Sequence, residues 1–207
     1  MISIARPRDG MFDWDGWVSP LDQFSQATGL TVSAYDAQCV RQVGPLQASR
    51  IGRLLGSSTL WHVDGPGSAI ERSMVAGVLA TDAAVPDESL HGLRVCCMPL
   101  TQFGQVYGVL VFGWCFNEFT SPMACDQIAR LVGLSGQVLW NDVRLQAPVS
   151  PARMATYRSL LATLADTSMV DSASRSTRPS DTASRLIDIW PVSVRAASIR
   201  SSIIDAS

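Results

Sequence analysis

The chain contains no lysine: all sixteen of its basic residues are arginine. That absence removes Schiff-base chemistry and the lysine that phosphate-binding loops use. Histidine is nearly missing too, with only His62 and His91. The five cysteines show neither C-x-x-C nor a paired Cys/His spacing, so no metal site is expected. Charge of either sign is scarce and almost balanced, at a formal −2 and a pI of 5.6, which gives no general attraction to nucleic acid or to anionic lipid. The longest apolar run, Val106–Phe116, is too short to cross a bilayer as a helix. Met1–Gly10 carries Arg6 and Arg8 with no apolar stretch behind them, so no secretory leader is read. A cytoplasmic location with reduced thiols and no membrane partner is expected. No Ser/His/Asp set, P-loop or carboxylate dyad stands out, so no catalytic residue and no cofactor is assigned.

What is present is a core. Hydrophobic residues make up 47% of the 207, enough for one domain that needs no covalent staples. The pattern divides the chain into a domain over 1–148, a helix over 149–170 and a polar tail over 171–207, of which residues 186–207 carry no assignable element. Asp13–Thr28 reads as a helix with Pro20 in its first turn and Gly29 as its stop. Leu30–Tyr35 and Cys39–Val43 read as strands. Arg50–Leu55 and Ala69–Ala80 read as helices, the second capped by Ser68, and Asp82–Glu88 as a loop. Ser121-Pro122 opens a helix running to about Leu145, and Ser150-Pro151 opens the last one.

The stretch Arg94–Phe116 matters most. Two apolar runs rich in Val, Leu and aromatic residues flank Gln102-Phe103-Gly104-Gln105, the pattern of an antiparallel hairpin. With Phe103-Gly104 as the loop, Gln102 opposes Gln105, Leu100 opposes Tyr107, and Cys97 opposes Leu110. Leu93, Val95, Cys97, Leu110, Phe112 and Trp114 then share one face, and Cys96, Met98, Leu100, Tyr107, Val109 and Val111 the other. Neither face is polar, so both must be covered. A ligand cavity and a filled core fit that pattern equally. If a cavity exists, Trp61, Arg72, Arg94, Cys96, Met98, Tyr107, Val109 and Val111 are its candidate lining, with Phe112 and Trp114 as further aromatic candidates and the arginines suited to an anionic ligand. Cys96 and Cys97 are candidate redox groups, although adjacent strand residues point apart. Cys39 can approach any other thiol as far as sequence tells. In the last helix, Met154, Tyr157, Leu161 and Leu164 fit a short heptad-like seam for a homodimer.

The segment VCCMPLTQFGQVYGVLVFGW followed by FTSPMACDQIARLVGLSGQVLW resembles the closing half of a GAF domain. Pro99-Leu100 ends one strand, Gly108-Val109-Leu110 forms the core of the next, and Phe119-Thr120 opens the C-terminal helix. ATGLTVSAYDAQ is similar to the family's first strand and turn. The resemblance covers about residues 21–146 and implies an α/β (α+β) sandwich with a central antiparallel sheet and helices on both faces. Pro151–Leu164, with Asp166-Thr167 and Asp181-Thr182-Ala183, resembles the helix that joins such domains to bacterial sensor histidine kinases. The implied role is a non-catalytic small-molecule or redox sensory module in signal transduction. After His91 no histidine and no glycine-rich nucleotide box follows, so a sensor module, a fragment or a truncated product without its kinase is expected. The absence of lysine is against the cyclic-nucleotide subtype. No Cys-His pair stands ready for bilin, and His62 beside Trp61 is a minor haem candidate. The alternative is a Cys-dependent reductase of free methionine sulfoxide on the same fold.

Overall fold

A computed structural model describes residues 13–102 and 105–174. The elements are α1 (Asp15–Thr28), β1 (Thr31–Asp36), β2 (Arg41–Leu46), α2 (Arg50–Gly56), α3 (Pro66–Thr81), β3 (Glu88–Leu90), β4 (Leu93–Gln102), β5 (Gln105–Phe116), α4 (Pro122–Val132), α5 (Gly136–Val143) and α6 (Pro151–Ser174). The strands form one antiparallel sheet in the order β2-β1-β5-β4-β3. The expected α+β architecture is therefore present. One face of the sheet packs on α2, α3, α4 and α5, and the other on α1 and α6. Among the described residues no helix is long and apolar enough to cross a membrane.

Local chemistry explains most boundaries. Ser49 and Ser121 accept the Gly52 and Ala124 N–H groups at the starts of α2 and α4, and Ser150 accepts the Arg153 N–H at the start of α6. Gly29 ends α1 at φ 73°, while Pro20 lies inside that helix rather than in its first turn. α3 begins at Pro66 behind Gly65, so Ser68 is not its cap. The single helix expected over Pro122–Leu145 breaks in two, because Gly133 takes φ 71° after α4. The segment read as a loop before the hairpin contains β3, paired to β4 through a His91-Gly92 turn with φ 49° and 94°. α6 runs to Ser174, beyond the helix boundary expected at 170.

The hairpin of β4 and β5 closes at Gln102↔Gln105 as expected; Phe103 and Gly104 lie outside the described residues. Its register differs from simple alternation at two bulges. Leu100 pairs with Gly108 and Thr101 with Val106, which leaves Tyr107 as an extra residue in β5. Cys97 therefore faces Val111, not Leu110. Arg94 pairs with Cys115 and Val95 with Gly113, so Trp114 is a second extra residue. Each insertion switches which side chains point which way. Val109, Val111, Trp114 and Phe116 join Leu93, Val95 and Cys97 on the α3 face. Leu110, Phe112 and Cys115 join Cys96, Leu100 and Met98 on the α6 face. Trp114 and Phe112, expected together, sit on opposite sides.

The second bulge needs left-handed backbone, with φ 121° at Gly113 and 52° at Trp114. A Cβ on Gly113 would meet the Arg94 carbonyl oxygen at 2.8 Å, whereas one on Gly133 would meet nothing within 4 Å. Gly113→Ala should therefore lower unfolding stability by about 2 kcal/mol, against about 1 kcal/mol for Gly133→Ala. Urea titration of the two variants checks the ranking.

Candidate functional site

Glu71 is completely buried. It continues the apolar stripe of α3 formed by Met74, Val75 and Val78, which places a carboxylate where a hydrophobe is the usual occupant. Four elements besides α3 supply donors to it. Tyr35, near the end of β1, donates its hydroxyl to Oε2 at 2.5 Å. Arg41, at the start of β2, donates from Nη2 to the same oxygen at 3.3 Å. Trp61, from the loop between α2 and α3, and Trp114, from the β5 bulge, donate their indole N–H groups to Oε1 at 2.9 and 2.8 Å. Every partner donates, which is the pattern of an ionised carboxylate.

The donors brace one another. The indoles of Trp61 and Trp114 meet edge to face with centroids 5.6 Å apart. Arg41 donates from Nε to the Tyr35 hydroxyl at 3.0 Å and from Nη2 to Ser68 Oγ at 3.1 Å, with its guanidinium 5.5 Å from the Tyr35 ring centre. Burial, then the charge and hydrogen bond of Glu71, push the Tyr35 hydroxyl well above its ordinary range, so it stays a donor. Beside this cluster lies a cavity of about 170 Å³ lined by Tyr35, Cys39, Arg41, Trp61, Val63, Ser68 and Arg72. Trp61 and Val63 also border a wider groove of about 690 Å³ that holds His62, Asp64 and Leu131.

Of the expected lining residues, Trp61 and Arg72 reach the cavity. Val109 and Val111 face the α3 side as packed core. Cys96 and Met98 face α6, so the strand residues expected on one wall are divided between two. Tyr107 is the half-buried bulge residue. Arg94 belongs to a separate cluster, in which its Nε and Nη2 donate to Asp87 Oδ2 at 3.0 and 2.6 Å. Arg158 of α6 donates to Asp87 Oδ1 at 2.6 Å and lies 5.9 Å from the Phe112 ring centre. Met154, Leu161 and Leu164 are buried against the sheet and Tyr157 packs beside them, so one chain accounts for the heptad-like spacing. Glu71, Tyr35 and Arg41 were missed. A carboxylate in step with Met74, Val75 and Val78 was the available signal.

All five cysteines are free. Cys96 and Cys97 are buried on opposite faces. Burial, then the Asp87 carboxylate, push the Cys96 thiol up to about 12, and burial also raises Cys97. Neither is poised as a thiolate nucleophile. Among the described residues no group of three or more His, Cys, Asp or Glu is placed to hold a metal ion. No protein-family model matches the chain, and neither the curated proteins nor the solved structures give a match.

Two stability measurements follow. Glu71→Leu strands two indole N–H groups and the Tyr35 hydroxyl, removes the counter-charge of Arg41, and should lower unfolding free energy by about 3–5 kcal/mol. Glu71→Gln keeps one acceptor oxygen and should lose about 1–3 kcal/mol. Urea unfolding reads both. For Asp87, burial works to raise the carboxyl, but the Arg94 hydrogen bonds and the Arg158 charge outweigh it and hold the group below its ordinary value. A depressed folded value means stability that is present above the unfolded value of about 3.9 and lost as pH falls through the folded one. The urea midpoint should therefore fall as the pH drops below about 4. Asp87→Asn, less stable at pH 7, should lack that part of the decline.

Proposed function

We propose that this chain is a non-catalytic sensory module of the GAF type in a signal-transduction system, the input part of a histidine-kinase-like protein. A small molecule binds in the cavity beside Glu71. The observation that carries the proposal is the buried carboxylate with its donors from β1, β2, the α2–α3 loop and the β5 bulge, next to a cavity that Arg41 and Ser68 share with it. A ligand that competes for Arg41 disturbs the Glu71 cluster and, through it, Trp114. Trp114 adjoins Cys115, the register partner of Arg94, and Arg94 meets the α6 residue Arg158 on Asp87. Binding on the α3 face thus biases how α6 lies on the other face. The sheet with helices on both faces supports the sequence resemblance to GAF domains, and α6 contains Pro151–Leu164, the stretch that resembles the connecting helix. A Cys-dependent reductase on the same fold is less well supported, because burial raises both adjacent thiols and the two face opposite ways.

Native mass spectrometry of the full chain after incubation with a cellular small-molecule fraction tests this role. A bound species is expected, lost both in Ser68→Phe, which fills the cavity, and in Val63→Trp, which covers it from an exposed position. Hydrogen exchange over residues 151–167 should change with occupancy. No bound species, or one that survives both substitutions, contradicts the proposal.

A further inference from the structure

We infer that the cavity beside Glu71 takes a small carboxylate with a flat apolar body, held by Arg72 and by the outer nitrogen of Arg41. This rests on the sensory role proposed above and names its ligand class. Arg41 commits Nε to Tyr35 and Nη2 to Ser68 and Glu71, and Nη1 has no hydrogen bond among the described residues. Arg72 lines the same cavity, is exposed, and has no ion-pair or hydrogen-bond partner among the described residues. Two guanidinium groups therefore border the space against one carboxylate, and Glu71 is sealed behind its own donors. The other acid on this hairpin, Asp36, accepts from the Gln38 and Val40 N–H groups at 2.8 Å each and from Gln42 at 2.6 Å, and its charge reaches the lining residue Cys39. Arg41 is balanced by Glu71, with Asp36 beside Cys39 and Asp64 in the adjoining groove, so Arg72 is the lining cation without an ion-pair partner among the described residues; guanidinium forks match planar carboxylates.

Size and wall set the remainder. A volume of about 170 Å³ falls below the roughly 300–1,000 Å³ of drug-sized sites, which suits a small ligand. Trp61 and the exposed Val63 give the space an apolar side, while Tyr35 is buried with the Arg41 guanidinium over its ring. A flat body lies along Trp61 and Val63 while its carboxylate meets the guanidinium side of the cavity.

Titration calorimetry on the full chain with benzoate, neutral benzamide and inorganic phosphate tests the assignment. Benzoate should bind at least tenfold more tightly than benzamide or phosphate. Arg72→Ala should weaken benzoate about tenfold or more and leave benzamide unchanged. Arg72 is a surface residue outside the Glu71 cluster, so loss of fold does not confuse the result. Phosphate equalling benzoate overturns the flat body. Benzamide equalling benzoate, or benzoate indifferent to Arg72→Ala, overturns the carboxylate. If benzamide binds as tightly as benzoate and Val63→Trp blocks both, the anion assignment falls and the cavity's sensory role stands. If no probe binds, the carboxylate class is wrong, and the role is judged by the species seen in native mass spectrometry.

Discussion

A carboxylate removed from water keeps its charge only where fixed donors replace its lost hydration. Glu71 meets that requirement through side chains that lie far apart in sequence, Tyr35, Arg41, Trp61 and Trp114. The α3 face of the sheet is consequently more than an apolar layer. Apolar packing alone tolerates small slides and repacking, whereas hydrogen bonds to one buried group require β1, β2, the α2–α3 loop and β5 to hold their positions together. A cavity wall built from Arg41, Trp61 and Ser68 inherits that definition.

The two faces of the sheet do different work. On the α3 side a polar cluster is set inside the core, beside space open to solvent. On the α6 side Trp17, Leu21 and Phe24 of α1 meet Met154, Leu161 and Leu164 of α6, and Asp87 bridges Arg94 to Arg158. β5 belongs to both. Its bulge delivers Trp114 to one face and returns Cys115 to the other, one residue later. One strand therefore joins the Glu71 cluster to the face on which α6 lies.

The greasy hairpin, the helix caps at Ser121 and Ser150, and the need to cover both sheet faces were legible in the sequence, because each follows from local periodicity or capping chemistry. The faces of β5 were not. Alternation assumes one residue opposite one residue, and the inserted Tyr107 and Trp114 each break that assumption. Gly113 hinted at the second bulge, but a lone glycine in a strand does not say which neighbour is displaced. The Met154–Leu164 spacing was read as a dimer seam because a stripe that packs on the chain's own sheet has much the same period. Trp61 and Arg72 were candidate lining from the sequence, as an aromatic in a punctuated loop and a cation suited to an anion, and both border the cavity beside Glu71. Their partners Tyr35 and Arg41 come from a hairpin that looked structural. Only the fold joins the two groups.

Hydrogen exchange at the indole N–H groups, followed by NMR with assignments from Trp61→Phe and Trp114→Phe, tests the buried-carboxylate cluster most directly. Of the six tryptophans in the chain, Trp61 and Trp114 should exchange slowly in the native protein and speed up together in Glu71→Gln. Rapid exchange at either indole in the native protein, or protection that ignores the Glu71 substitution, would contradict the account.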